Sequence, residues 1–138
     1  MKAKILIIIA LFSLILILGY AYLNYDFRNN IIHQDSDFEI SAAELVSVFS
    51  QNEANANSIY LGNIIEVHGN VEAIDTSEGD VNIYLGSPSE VGQVVCQLNR
   101  KFQPSTLDKM VGNSITIRGE CTGMLLDVIL VNSIIIQQ

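Results

Sequence analysis

The sequence contains few of the side chains on which catalysis or metal binding usually depends. Of its 138 residues, two are cysteine and two are histidine. It has no Cys-x-x-Cys pair and no Gly-x-Ser-x-Gly turn, which are the spacings typical of zinc sites, redox pairs and serine hydrolases. His68 lies between Glu66 and Glu72, and this spacing matches no known metal-ligand pattern. We therefore expect no catalytic residue, no metal site and no cofactor, and a protein that is not an enzyme.

Basic residues are scarce after Asn24. All 15 acidic residues follow that position, and the same part of the chain has five basic residues: Arg28, Arg100, Lys101, Lys109 and Arg118. An acidic excess of this kind repels phosphate groups and anionic lipid headgroups, and it favours cationic peptides, metal ions or basic protein surfaces. It also serves solubility. The expected partner is a protein or a cationic peptide, and the charge argues against nucleic acid.

Charge is absent from a long apolar run, Ile5 to Leu23. In a helix this run spans roughly 28 Å, close to the bilayer hydrocarbon thickness of about 30 Å. Lys2 and Lys4 precede the run and acidic residues dominate after it, so the positive-inside rule places the N-terminus in the cytoplasm. We expect residues 1–24 to form a single-pass transmembrane signal-anchor in the cytoplasmic membrane, with the rest of the chain extracytoplasmic.

The alternative is a cleaved signal peptide, because Gly19-Tyr20-Ala21 resembles a small-x-small cleavage site. The protein would then be secreted or periplasmic. The run is longer than a typical signal-peptide core, and bulky Tyr22 and Leu23 follow the site at once, which favours the anchor. No cysteine lies near the end of the run to accept a lipid, so a lipoprotein is not expected. Both alternatives export the remaining chain.

A linker and a helix are predicted after the apolar run. Residues 25–39 mix aromatic side chains, Asn and Asp without periodicity, which is typical of a juxtamembrane linker. Residues 40–138 predict a domain that begins with a helix, because Ser41 and Glu44 form a capping box. Apolar residues then recur at helical spacing to about Ala54, and we expect this amphipathic helix to pack on the domain.

Beyond Ile64 the hydrophobic period changes to two, the period of β-strands. Three strands are predicted in succession, then a short helix between Pro104 and Gly112, then two more strands. This order, with Gly69 to bend the first strand, predicts a mainly β fold, a five-stranded Greek-key barrel of the OB type. The inward-facing residues are, strand by strand, Ile65, Val67, Val71 and Ala73; Val81, Ile83 and Leu85; Val94, Cys96 and Leu98; Ile115 and Ile117; Val128, Leu130, Asn132 and Ile134.

Cys96 and Cys121 both fall in the inward phase of their predicted strands. In an oxidising compartment such a pair is more often a disulfide than two free thiols, so we expect a bond between them. The bond would contribute on the order of 3.5 kcal/mol by closing a long loop. The alternative is two buried thiols that pack as small apolar groups.

The outer surface of the second and third predicted strands is where OB barrels bind their ligands. Oligonucleotide binding there needs stacking aromatics and basic residues. This surface has one aromatic residue and no cation, with Arg100, Lys101 and Arg118 as the candidates at its rim, so nucleic-acid binding is not expected. The candidate binding residues are Asn82, Tyr84, Gln93, Val95, Gln97 and Arg118.

Three stretches of the chain carry recognisable motifs: Ile40 to Val71 with its Tyr-x-Gly step at Tyr60, VVCQL around Cys96, and Val111 to Leu130 with Gly-x-Cys-x-Gly from Gly119 to Gly123. In these stretches the sequence resembles the tRNA-anticodon-binding-like family of OB-fold proteins, many of which are small exported or membrane-attached bacterial proteins. The resemblance implies the fold and an exported setting more than an activity. The layout is also similar to the haem chaperone of cytochrome c maturation, but Gln137 and Gln138 end the chain without the His-x-x-x-Tyr step that attaches haem in that family.

The leading hypothesis is a non-enzymatic, membrane-anchored, extracytoplasmic binding or interaction module. A second hypothesis is a structural accessory subunit of an envelope membrane complex, which would pack through its transmembrane helix or through an exposed edge at Ile129 and Val131. The third and least favoured is an oligonucleotide-binding protein.

Overall fold

The computed structural model describes residues 12–20, 31, 35–86, 92–99 and 107–137. The helices in these residues are α1 (12–20), α2 (Ala42–Gln51) and α3 (Glu53–Tyr60). Single turns of 3-10 helix lie at Ser77–Gly79 and Leu107–Lys109. The strands are β1 (Phe38–Ser41), β2 (Ile64–Asp75), β3 (Asn82–Leu85), β4 (Val94–Leu98), β5 (Ser114–Met124) and β6 (Val128–Gln137).

Five of the strands close into a barrel. Neighbours pair in the order β2-β3-β4-β6-β5, and β5 pairs in turn with β2. The β4–β6 pair is parallel and the other four pairs of the ring are antiparallel. This is the five-stranded Greek-key arrangement of an OB-type barrel, as the sequence predicts. β1 lies outside the ring and pairs in parallel with the first half of β2.

The helices α2 and α3 lie at one end of the barrel, which we call the helical end. Ser41 caps α2 as predicted, because its Oγ accepts a hydrogen bond from the backbone N–H of Glu44 at 3.2 Å. Leu45 and Phe49 are buried in the same core as the barrel residues. The sequence predicts one helix to about Ala54, but the structure breaks at Asn52 and continues as α3 to Tyr60.

Two irregularities change which residues face the core. A β-bulge between Val71 and Ala73 turns Ala73 outward, where it is exposed, although its predicted orientation is inward. On β6, Asn132 has a positive φ of 52° and is half-buried, and Ser133 is buried beside it. An extra residue in one strand reverses the alternation beyond it.

The two cysteines do not form the predicted disulfide, and both are buried free thiols. Cys96 on β4 and Cys121 on β5 both lie opposite Leu130 on β6. The Cα atoms of the two cysteines are therefore separated by a whole strand, roughly 9.5 Å at the usual strand spacing. A disulfide requires Cα atoms within about 7 Å. The alternative interpretation, two thiols packed in the core, describes the structure.

The N-terminal predictions fall mostly on residues 1–11 and 21–30, which lie outside the described residues. The described part of the predicted membrane segment is α1. Within the described residues, no helix is both long enough and apolar enough to cross a membrane. Phe38 and Glu39, which the sequence assigns to the linker, begin β1. Of the predicted short helix, a single turn at Leu107–Lys109 is described, and residues 104–106 lie outside the description.

Candidate functional site

Five of the six predicted binding residues lie together on the outer surface of β3 and β4. Antiparallel pairing places Asn82 directly opposite Gln97 and Tyr84 opposite Val95. The residues between them along each strand point into the core, so these side chains point outward. We call this surface the β3–β4 face, and its residues are Asn82, Tyr84, Gln93, Val95 and Gln97.

Tyr84 is the aromatic residue of the β3–β4 face and stands in an apolar row across the sheet. Ala73 of β2 lies on one side of it and Val95 of β4 on the other, and Val95 in turn lies opposite Ile129 of β6. A tyrosine ring among small apolar neighbours provides a surface on which a planar, apolar or cationic group can pack.

The second row of the β3–β4 face is polar. It consists of Asp75, Asn82 and Gln97, one residue from each of three neighbouring strands. Amide side chains both donate and accept hydrogen bonds. The Oδ1 atom of Asn82 is shielded from solvent and accepts no hydrogen bond from the described residues. The side chain of Gln97 is exposed, so its amide is the one of this row that is open to a ligand.

Carboxylates lie at both ends of the β3–β4 face. At one end, Asp75 accepts hydrogen bonds from the backbone N–H and the hydroxyl of Ser77, at 2.8 and 3.0 Å. These bonds lower the pKa of Asp75 and keep it ionised. At the other end, Asp127 accepts a hydrogen bond from the backbone N–H of Gln93 at 2.8 Å. The described residues of the face contain no Lys or Arg, so an approaching ligand meets negative charge.

The structure places Arg118, the sixth predicted residue, away from the β3–β4 face. It lies on β5 opposite Glu66 of β2, and its Nε donates to Oε1 of that carboxylate at 2.9 Å. Its Nη1 also donates to the backbone oxygen of Ile31 at 3.4 Å. Because β5 pairs with β2 and β6 and not with β3 or β4, Arg118 joins two strands and the linker.

Ile129 and Val131, the predicted edge of an interaction surface, are not at a sheet edge. Both lie on β6, which pairs with β4 on one side and β5 on the other. They are half-buried on the outer surface, and Ile129 extends the apolar row of Tyr84. The two residues therefore add apolar surface beside the β3–β4 face.

Metal centres and reactive thiols each depend on particular groupings of side chains. No group of three His, Cys, Asp or Glu within them could hold a metal ion. Burial raises the pKa of Cys96 and of Cys121, so both thiols are neutral and unreactive near neutral pH. The β3–β4 face combines amides, one phenol ring and carboxylates at its ends, which are groups that recognise a ligand.

A closed five-stranded Greek-key barrel with a polar face on its second and third strands defines an OB-fold protein. The family model tRNA_anti-like matches residues 1–135. The chain therefore belongs to the tRNA_anti-like family. No curated protein matches the chain.

Among solved structures, the chain is similar to a "putative nucleic acid-binding lipoprotein" from Klebsiella pneumoniae subsp. pneumoniae. The two share 18% sequence identity with a TM-score of 0.52. The alignment covers 75% of this chain and 100% of the Klebsiella chain. At this level of identity the likeness shows the common fold.

Proposed function

We propose that the protein is a non-enzymatic binding module attached to the outer side of the cytoplasmic membrane. Its N-terminal apolar run, preceded by lysines and followed by acidic residues, supports a single crossing with the barrel outside. The Klebsiella neighbour is described as a lipoprotein, which agrees with a place at the membrane. The β3–β4 face is the binding surface, and its ligand is an extended basic peptide or a basic segment of a protein.

The observation that carries this proposal is the composition of the β3–β4 face. The face pairs Asn82 with Gln97 and Tyr84 with Val95, and the carboxylates of Asp75 and Asp127 lie at its two ends. Amides recognise a peptide backbone, and a tyrosine ring attracts a Lys or Arg side chain. The exposed amide of Gln97 can pair with a peptide N–H or C=O, and the carboxylates of Asp75 and Asp127 attract an ammonium group and repel a phosphate.

A second candidate is nucleic-acid binding, which the description of the Klebsiella neighbour favours. OB barrels bind single strands by stacking bases on aromatics and by neutralising phosphates with Lys and Arg. Here one aromatic, Tyr84, is present, and Asp75 and Asp127 stand at the two ends of the face. Arg100 and Lys101 lie outside the described residues. The acidic surroundings favour the peptide over the nucleic acid.

A third candidate is the accessory subunit of an envelope complex, favoured by the half-buried Ile129 and Val131 beside the β3–β4 face. A pull-down of the full chain in mild detergent tests it. A membrane protein recovered in equal amount supports the accessory subunit, and recovery of the chain alone supports the binding module.

Fluorescence polarisation of the full chain in detergent tests the ligand class. The probes are a labelled lysine-rich peptide and a labelled single-stranded oligonucleotide, both at low salt. We expect the peptide to bind and Tyr84→Ala to weaken it about fivefold, the loss of roughly 1 kcal/mol of cation–π interaction. His68→Ala is the matched control, because His68 is exposed on β2, opposite Thr116 of β5 and away from the β3–β4 face.

Three results distinguish the candidates. Peptide binding that Tyr84→Ala weakens and His68→Ala leaves unchanged supports the proposal. Oligonucleotide binding weakened by Tyr84→Ala, with no peptide binding, replaces the proposal with the second candidate. Peptide binding that is equally strong in both variants shows that general acidity and not the β3–β4 face attracts the peptide, and it contradicts the proposed site.

A further inference from the structure

The turn between β5 and β6 carries two leucines that are almost fully exposed. Leu125 is 88% and Leu126 85% exposed, although turns usually carry polar residues or glycine. The turn is held by its own hydrogen bonds, because the N–H of Leu125 donates to the backbone oxygen of Asp127 at 3.2 Å. The carboxylate of Asp127 in turn holds the N–H of Gln93. The fold therefore holds both leucines out in solvent.

A third exposed leucine lies beside this turn. Leu61, at the end of α3, is 53% exposed. Its Cδ1 would lie 3.5 Å from a Cβ built on Gly123, two residues before Leu125. The N–H of Gly62 donates to the backbone oxygen of Cys121 at 2.8 Å, which ties the end of α3 to β5. We call Leu61, Leu125 and Leu126 the leucine patch.

The two chain segments that carry the leucine patch contain no charged residue. Residues 54–65 and 121–126 contain no Asp, Glu, Lys or Arg, in a chain with a net charge of −8. Acidic residues flank both segments, at Glu53, Glu66, Glu120 and Asp127. Glu66 is paired with Arg118, and Asp127 accepts a hydrogen bond from the backbone N–H of Gln93. Nearby, Asp37 accepts one from the backbone N–H of Ile64 at 3.1 Å. An uncharged apolar surface at one end of an acidic domain is a feature of contact sites.

The chain enters the domain at this same end. β1 runs parallel to β2 with Phe38 opposite Ile65, and β2 begins where β5 ends. Before β1, Ile31 is buried and its oxygen accepts a hydrogen bond from Arg118. Seven residues separate Ile31 from Leu23, the last residue of the apolar run, and the eight steps between these two residues span at most about 29 Å. A membrane-embedded run therefore keeps the helical end near the bilayer.

We infer that the leucine patch rests in the interfacial region of the bilayer that holds the N-terminal segment, so that the barrel contacts the membrane at a second point. This inference rests on the proposed membrane attachment. Leucines in the interface remove their apolar surface from water, and the short tether supplies the proximity. The acidic body stays on the far side, away from anionic headgroups. Asp127 follows the two leucines and hydrogen-bonds the N–H of Gln93, a residue of the β3–β4 face. This face therefore begins next to the membrane surface.

Tryptophan fluorescence of the full chain in phosphatidylcholine vesicles tests the inference. The chain contains no tryptophan, so a single introduced tryptophan reports its own surroundings. The variants are Leu125→Trp and Leu126→Trp, with Val111→Trp as the matched control. Val111 is also exposed, at 51%. It lies before β5, whereas Leu125 lies directly after β5. The eleven residues of β5 separate the two positions by roughly 35 Å.

We expect the emission of the Leu125→Trp and Leu126→Trp variants to shift to shorter wavelength in vesicles. It should also lose intensity when the vesicle lipids carry bromine on their acyl chains. The emission of the Val111→Trp variant should do neither. Vesicle flotation of the same samples measures the attachment itself. If the chains float but the two leucine variants and the Val111→Trp control are quenched equally, the membrane contact is overturned and the proposed function is left intact. Chains that do not float overturn both. A blue shift in detergent that grows with protein concentration shows that a second copy covers the leucines, which also overturns the inference.

Discussion

Two outer surfaces of the same barrel use polar residues in opposite ways. On β2 and β5, Glu66 and Arg118 face each other, are each 16% exposed, and form an ion pair that also holds the linker at Ile31. We call the outer surface at this ion pair the β2–β5 face. On the β3–β4 face the opposed residues are amides, and Asn82 keeps an oxygen with no partner among the described residues. Polar groups that satisfy each other stabilise a fold, whereas an exposed amide such as that of Gln97 is available to a ligand.

The largest expected effect concerns the interior that both surfaces share. Cys96 lies on β4 beneath the β3–β4 face and Cys121 on β5, the strand of Arg118. Burial raises the pKa of both thiols in the folded protein, whereas an unfolded cysteine ionises near pH 8.5. Above about pH 8.5 the two thiols stay protonated in the folded protein but lose their protons on unfolding. The free energy of unfolding therefore falls as the pH rises above that value. The expected slope is up to about 1.4 kcal/mol per pH unit for each thiol.

Urea unfolding at a series of alkaline pH values measures this slope. The matched control is the double variant Cys96→Ala/Cys121→Ala, which should be less stable at neutral pH and should show a shallower decline above pH 8.5. Dithiothreitol should leave the unfolding midpoint of the natural chain unchanged. A midpoint that drops on reduction would reveal a disulfide, and it would contradict the register that places both cysteines opposite Leu130.

The second effect should be confined to the β2–β5 face. Glu66→Gln or Arg118→Met leaves one charge of the pair with a poorer partner in a mostly buried setting. Each should lower the free energy of unfolding by about 1–3 kcal/mol, the range for hydrogen bonds to charged groups. Urea unfolding of both single variants and the double variant gives the coupling energy. A coupling near zero would mean that Arg118 stabilises the domain through the linker at Ile31 and not through Glu66.

Much of the barrel is predictable from the sequence, because alternation of apolar residues records which side of a strand faces the core. Ile65, Ile83 and Leu130 are buried as predicted. Alternation fails where a strand gains a residue, as at Ala73 and Asn132. It also does not record which strands are neighbours. For that reason Cys96 and Cys121 both point inward as predicted, yet a strand lies between them.

The candidate site shows the same division. The β3–β4 face is predictable because its two strands are consecutive, and consecutive strands commonly pair. Arg118 is assigned to the rim of that face from its outward phase alone, whereas the β2–β5 pairing that decides its partner joins residues 52 positions apart. The leucine patch leaves one signal in the sequence, a pair of leucines in a turn between two predicted strands, where polar residues are usual.

The smallest expected effect on stability belongs to the β3–β4 face. Asn82→Ala removes an oxygen that is shielded from water and unpartnered among the described residues, so the folded state loses no hydrogen bond of that atom. Gln97→Ala removes an exposed side chain. Each variant should unfold within about 0.5 kcal/mol of the natural chain in urea, as substitutions away from supporting interactions do. Gln97→Ala should nonetheless weaken binding of the lysine-rich peptide in the polarisation assay. A destabilisation as large as that of Arg118→Met would show that the amides support the barrel, and the contrast between the two faces would then be lost.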